Sequence, residues 1–208
     1  MNWKHDRNTS ILWARRILAT EGVLILDTET TGLDDKAQIV QIGVIDLTGN
    51  VMLDALVKPT CPIPPGASSV HGITDRMVEK ANPWPSVYSA VARLLMGAPV
   101  VTYNAEYDYR LIVQTGQAHP AAGLPMPMVL RWECAMKAYA AYYGAWDDYH
   151  QSYTYQGLGK ACRQLGLPVV GAHGAVADCR MTLQVIRKMA ETDLETQEEE
   201  AESDETEL

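Results

Sequence analysis

Residues 23–32 read VLILDTETTG, four apolar side chains followed at once by two carboxylates, Asp27 and Glu29, one residue apart. Along a strand side chains alternate, so Asp27 and Glu29 project from one face while Thr28 points to the other. Ionised groups that close repel each other, and the apolar approach places them at or near a core, where desolvation adds to the cost. A cation between them removes the conflict. A lone Asp-x-Glu is also what a solvated strand end looks like, so the rest of the chain has to decide between the two readings.

Segments 22–29, 38–47 and 51–58 are β-rich, and Thr48-Gly49-Asn50 is turn chemistry, which predicts an antiparallel meander. Beyond the Pro-rich stretch CPIPPGASS (61–69), apolar residues take up helical spacing over 75–80 and 86–96. An apolar strand, PVVTY (99–103), and a helix over 105–115 come next. A strand over 128–132 and helices over 134–143, 155–165 and 174–189 complete the pattern. Near the start, Ile11, Leu12, Leu18 and Ala19 predict a short amphipathic helix over 9–20. Three antiparallel strands followed by parallel βα units make an α/β fold, one mixed sheet with helices on both faces.

The 208 residues, 47% of them hydrophobic, suffice for one domain with a core, assigned to residues 1–190. A net charge of −9 counts at first against a nucleic-acid partner, but residues 191–208 carry ten acidic and no basic side chains. That leaves sixteen acidic against seventeen basic in residues 1–190, so the total excludes nothing. The one-sign block predicts a disordered acidic tail over 191–208, a solubilising segment rather than an interaction arm or a mimic of nucleic acid. Cys61, Cys134, Cys162 and Cys179 form no CxxC pair, which argues against a zinc site and a disulfide framework. No apolar run approaches the roughly 18 residues of a membrane span, and the N-terminus lacks the marks of a secretory signal. Asp6 and Glu21 bracket the first helix, against an organelle-targeting role. The expected setting is cytoplasmic, with no membrane partner.

Two more acids sit where packing alone does not explain them. Asp108 shares a helix face with Leu111 and Ile112, on the stripe that packs against the sheet. The plain alternative is an aspartate favoured by the dipole in a helix's first turn. Asp178 falls on the margin of the stripe formed by Val176, Cys179, Leu183, Ile186 and Ala190. His173, five residues earlier, would lie about 140° from Asp178 around a helix axis, at roughly 100° per residue, so a shared site requires the histidine to precede the helix. Gly171 and Gly174 around it favour a loop free to point into a cleft.

Together LILDTETTG, TYNAEYDYRLI and HGAVADCRMT resemble the three exonuclease motifs of the DEDDh 3′→5′ exonuclease superfamily, that of the proofreading epsilon subunit, exonuclease X, ribonuclease T and oligoribonuclease. SSVHGITDRMV is similar to the family's HGI segment, and His173-x-Ala175-x-x-Asp178 to the histidine form of the third motif. The resemblance implies a ribonuclease-H-like fold in which Asp27, Glu29, Asp108 and Asp178 hold two divalent cations and His173 is the general base. It also implies that Thr30 and His71 line the terminal nucleotide, that the partners are 3′ ends of single-stranded DNA or RNA, and that nucleoside 5′-monophosphates are released. Tyr103 and Tyr107 depart from the pattern, standing where the second motif usually has histidine and phenylalanine.

The residues agree with that chemistry. Four carboxylates and two Mg²⁺ or Mn²⁺ ions are neutral together, and oxygen donors suit those ions better than zinc. A pair of such ions roughly 3.5–4 Å apart activates an attacking water and stabilises the leaving 3′ oxygen, with Asp27 the natural bridging ligand. A loop histidine with a pKa of about 6.5 takes the water's proton near neutrality. Asn104 is placed as the N-cap of the helix carrying Asp108. Arg76, Lys80, Arg110, Arg131, Lys137 and Arg163 are scattered, as suits a grip on a few terminal nucleotides. The aromatic-rich segment 138–156 reads as helix packing and a rim loop rather than a base-stacking surface. QLGLP (164–168), faintly like a sliding-clamp peptide, closes a helix and is discounted.

The function expected is removal of nucleotides from single-stranded 3′ ends, DNA ahead of RNA. Competing readings are a binding module associated with a polymerase or other repair protein, an RNA-trimming exoribonuclease, and a metal endonuclease of the same fold. A two-acid glycosidase would leave Asp108, Asp178 and His173 idle.

Overall fold

The chain begins with helix α1 (Trp3–Ala19), which leads into a meander of β1 (Leu24–Thr30), β2 (Ile39–Asp46) and β3 (Val51–Lys58). The computed structural model describes residues 2–125 and 127–196. Both pairings in the meander are antiparallel. Asp46 fastens its second turn by accepting from the backbone N–H groups of Thr48 (2.8 Å) and Asn50 (3.0 Å). These bonds, with that of the Thr48 hydroxyl foremost, hold the Asp46 carboxyl down at about 2.

Short helices α2 (Pro65–His71) and α3 (Asp75–Val78) and the two-residue β4 (Asn82–Pro83) follow, then α4 (Trp84–Leu95), β5 (Pro99–Thr102) and α5 (Ala105–Gln117). A 3₁₀ turn at Pro120–Ala122 precedes β6 (Arg131–Cys134), α6 (Ala135–Tyr143), a small hairpin of β7 (Trp146–Asp147) and β8 (Ser152–Tyr153), α7 (Leu158–Gln164) and α8 (Ala175–Glu191). The six-stranded sheet runs β4-β3-β2-β1-β5-β6, with β5 parallel to β1 and β6 parallel to β5. Strand β1 is therefore central. Its alternating residues serve two cores: Ile25 packs with Ile45, Val101 and helices α1, α6 and α8, whereas Leu24 and Leu26 pack with Ile42, Val44 and helices α4 and α5. A strand covered on both faces has no polar alternation, which is why VLIL is apolar throughout.

Several elements differ from the sequence-based expectation. Helix α1 starts at Trp3 rather than residue 9, because the Asn2 side chain caps it through His5 N–H (3.1 Å) and its first turns carry polar residues that mask the apolar period. Helix α2 forms inside the Pro-rich stretch, with proline at its first position and left-handed Gly72 (φ 75°) closing it. The last strand of the sheet lies at 131–134 instead of 128–132. Residues 155–157 are not helical. Gln156 is buried there, and its side-chain amide donates to Thr154 O (2.8 Å).

The tail expected from residue 191 falls largely on 197–208, outside the described residues. Its first part is described and rests on α1. Asn8 exchanges two 2.8 Å hydrogen bonds with the backbone of Glu195, whose carboxylate pairs with Arg7 at 3.3 Å. All four cysteines are free, Cys162 and Cys179 buried. Among the described residues no helix is long and apolar enough to cross a membrane.

Candidate active site

The β1–β2 register sets Asp27 opposite Gly43 and Glu29 opposite Gln41. A Cβ on Gly43 would stand 2.7 Å from the Val176 nitrogen and 2.8 Å from the Ala175 carbonyl carbon, so the missing side chain is what lets the first turn of α8 sit on these strands. Gln41 completes the seat, its side-chain oxygen accepting from Ala175 N–H at 3.2 Å. Asp178, three residues into α8, is thereby delivered to Asp27 and Glu29. One oxygen from each of Asp27, Glu29 and Asp178 lies within 4.8 Å of the other two.

Asp108 arrives from the opposite face of the sheet. Thr28, pointing away from its acidic neighbours, donates its hydroxyl to Asp108 Oδ1 at 2.9 Å. Asp108 is 3% exposed, stands outside the tight trio, and lines the same 170 Å³ cleft as Asp27, Glu29 and Asp178. Asn104 occupies the N-cap position but its side chain caps nothing; the Asn104 carbonyl accepts from Tyr107 N–H (3.0 Å) and Asp108 N–H (3.3 Å). That corrects the capping role assigned to Asn104.

Bringing these acids together is costly, and their proton affinities record it. Burial, then the charges of Asp108, Asp178 and Glu29, drives the Asp27 carboxyl far above the ordinary range. Burial foremost, with Asp178 and Asp108, lifts Glu29 to about 8. Asp108 rises to about 7 through burial, against the opposing hydrogen bond of Thr28, and Asp178 is also raised by burial. The donor set is hard oxygen throughout, since the nearby Cys179 thiol turns to the Ile25 and Gly43 carbonyls at 3.5 Å. Such a set fits Mg²⁺ or Mn²⁺ and would be neutralised by them.

His173 precedes α8, as its spacing from Asp178 requires, in the left-handed region at φ 69°. This uncommon backbone for a non-glycine residue turns its N–H onto Asp178 Oδ1 at 3.1 Å and leaves its ring exposed at the rim. Tyr103, in the place of the motif's usual histidine, is buried and donates its hydroxyl to Gln156 O at 2.6 Å. Its ring is a wall of the cleft and its polar atom is already used.

A larger cavity of 540 Å³ adjoins the acids and shares Thr28, Glu29 and Tyr107 with their cleft. Thr30 and His71 both line it, but their polar atoms serve the protein. The Thr30 hydroxyl bonds Gly32 O and the Tyr107 hydroxyl, each at 2.7 Å. His71 Nδ1 accepts from Ile73 N–H (3.0 Å), which assigns the proton to Nε2 and its donation to Thr30 O (3.1 Å). Burial lowers the His71 pKa, consistent with that neutral tautomer. These two residues shape the pocket and offer it a ring face and a methyl group.

The sequence reading did not identify what holds the pocket's far wall. Tyr107, Arg110 and Gln114 follow one another along a face of α5 and bond the carbonyls of the loop after β1. The Tyr107 hydroxyl lies 3.0 Å from Gly32 O, Arg110 donates to Leu33 O (3.2 Å) and Asp34 O (3.4 Å), and Gln114 to Asp34 O (3.2 Å) and Ala37 O (3.0 Å). The spacing of three and then four was visible as a polar stripe. Its partner loop, 75 to 80 residues earlier in the chain, was not.

Residues 24–186 match the exonuclease family RNase_T. The chain belongs to this family. It is a 3′→5′ exonuclease, and the family depends on divalent metal. The chain is 45% identical over 170 residues to the uncharacterized exonuclease CP81 of Escherichia phage 186, covering 80% of itself and 87% of that protein. It is 28% identical over 172 residues to the PolC-type DNA polymerase III of Thermotoga maritima, covering 81% of itself and 12% of the polymerase. In fold it is similar to E. coli exonuclease I solved with single-stranded DNA, with a TM-score of 0.62 at 20% identity over 80% of this chain and 39% of that one. The exonuclease thus has the ribonuclease-H-like sheet that its motifs imply.

Proposed function

We propose that this exonuclease removes nucleotides one at a time from the 3′ end of single-stranded DNA and releases nucleoside 5′-monophosphates. The observation that carries the reading is the continuity of a 540 Å³ pocket with the carboxylate cleft, because a pocket of that size admits one terminal nucleoside and delivers its phosphodiester to the acids.

Asp27, Glu29 and Asp178 would hold one Mg²⁺ or Mn²⁺, and Asp27 with Asp108 a second. When bound, the two ions supply electrostatic stabilisation to attacking and leaving oxygens. The chain's own groups do the rest. His173, exposed beside Asp178, accepts the proton of the attacking water on its ring. Thr30, His71 and the loop bound by α5 confine the terminal nucleoside, so that the bond presented to the acids is the last one. Hydrolysis breaks the bond between phosphorus and the upstream 3′ oxygen and leaves the phosphate on the released nucleoside.

Preference for DNA is supported by the relatives: exonuclease I was solved with single-stranded DNA, and PolC-type proteins are DNA polymerases. The latter similarity also favours a second reading, a proofreading or repair exonuclease that works beside a polymerase in the cytoplasm. End-labelled single strands of DNA and RNA incubated with Mg²⁺ test the proposal. Stepwise loss from the 3′ end of DNA is expected; internal cuts would indicate an endonuclease, and faster loss from RNA an exoribonuclease.

A further inference from the structure

The carboxylate cleft has two sides. On one side it opens to the terminal-nucleoside pocket, and on the other its lining continues through Asn104 and Tyr103 to Leu158 at the start of α7. A strand whose last nucleoside fills the pocket must leave by this second side. Just beyond Leu158 stands Tyr155, 56% exposed although its neighbours are fixed. Thr154 N–H bonds Ala145 O at 2.7 Å, Gln156 is 2% exposed, and the Gln156 carbonyl receives the Tyr103 hydroxyl from the cleft wall. A rigid pedestal therefore presents an aromatic ring to solvent, where it adds nothing to the core.

The second group is Lys137, in α6. Its ammonium pairs with Glu106 in the first turn of α5, one residue from the Tyr107 that both cavities share. Tyr155 is close enough to add to Lys137's preference for the charged form, which Glu106 chiefly sets. An aromatic face and a cation on this side are the two groups a single strand uses, base on ring and phosphate on ammonium. Glu106 is then a competitor, a carboxylate occupying the ammonium that a phosphate would take.

We propose that Tyr155 and Lys137 receive the nucleotides upstream of the scissile bond, Tyr155 stacking a base and Lys137 holding a phosphate that displaces Glu106. This goes beyond the reading of segment 138–156 as packing and rim alone, and it rests on the single-strand exonuclease function proposed above.

The test measures KM and kcat for DNA strands of two to twelve nucleotides with the full chain and the variants Tyr155→Ala, Lys137→Gln and Glu106→Gln. For a twelve-nucleotide strand, Tyr155→Ala is expected to raise KM about tenfold with kcat nearly constant, the scale of one base stacked on one ring. Tyr155→Trp should restore it. Lys137→Gln should raise KM and make binding less steep in salt by about one phosphate's share, while Glu106→Gln should lower KM. The effects should shrink as the strand shortens to two nucleotides. Equal KM values for parent and variants at all lengths would overturn the inference, as would a KM increase with Glu106→Gln matching that of Lys137→Gln, the result if the pair merely braces two helices. A parent that leaves every strand intact would instead refute the exonuclease reading itself.

Discussion

The Asp27 carboxyl is pushed far above its ordinary range, by burial first and then by the charges of all three other acids of the cleft. Asp27→Asn should therefore lower turnover at least about a hundredfold, the scale of losing one preorganised charge-stabilising group. The same change should stabilise the metal-free fold; relief of about 1 kcal/mol would appear as roughly 2–4 °C in a thermal melt. An Asp27→Asn variant that melted lower than the parent without metal would show that the repulsion is not there. His173→Ala makes the complementary case, because the contact it gives Asp178 is through its backbone. Turnover should fall by about 10²–10⁴-fold while Mg²⁺ still raises the melting temperature as in the parent. At this scale the sequence was informative about which acids share the cleft, since Asp27, Glu29, Asp108 and Asp178 all conflict with apolar surroundings. It was silent on how polar atoms are spent: neither His71's use of both ring nitrogens nor Asn104's idle side chain leaves a trace in spacing.

Among the elements, α8 depends on one position in β2. Gly43→Ala should cost about 1–3 kcal/mol of stability by overpacking, and displace Asp178 enough to weaken activity beyond the loss of folded protein. Denaturant melts combined with activity per folded molecule separate the two effects. Helix α5 makes a different prediction. Arg110→Ala frees the Leu33 carbonyl and leaves that of Asp34 to Gln114 alone, so KM should rise several-fold with kcat largely kept, and Arg110→Lys should recover only part because one ammonium cannot span both oxygens. Long periodic segments such as α5 and α8 were legible within a few residues. The misses were short elements or ones whose signals conflict: α2 among prolines, the two-residue strands β4, β7 and β8, and the extended stretch before α7, whose tyrosine and glutamine look helical until Gln156 is seen to be buried.

Across the whole molecule the acids couple stability to pH and metal. Glu29 and Asp108 titrate near 8 and 7 in the fold, above the roughly 4.3 and 3.9 of unfolded chains. Carboxyls shifted upward contribute stability that is complete below the unfolded values and is lost as pH rises through the folded ones. The metal-free protein should thus melt progressively lower from pH 5 to pH 8.5, and added Mg²⁺ should raise its melting temperature more at pH 8 than at pH 6. A flat metal-free profile over that window would contradict the clustering. The architecture, a meander followed by parallel βα units, was legible because each core face leaves its own period, whereas the meeting of β1 with α8 across some 150 residues was not. That meeting has a consequence for biosynthesis. Because one acid of the tight trio resides on the last helix described, a growing polypeptide on the ribosome holds only two members of that trio until Asp178 has emerged and α8 has settled on Gly43.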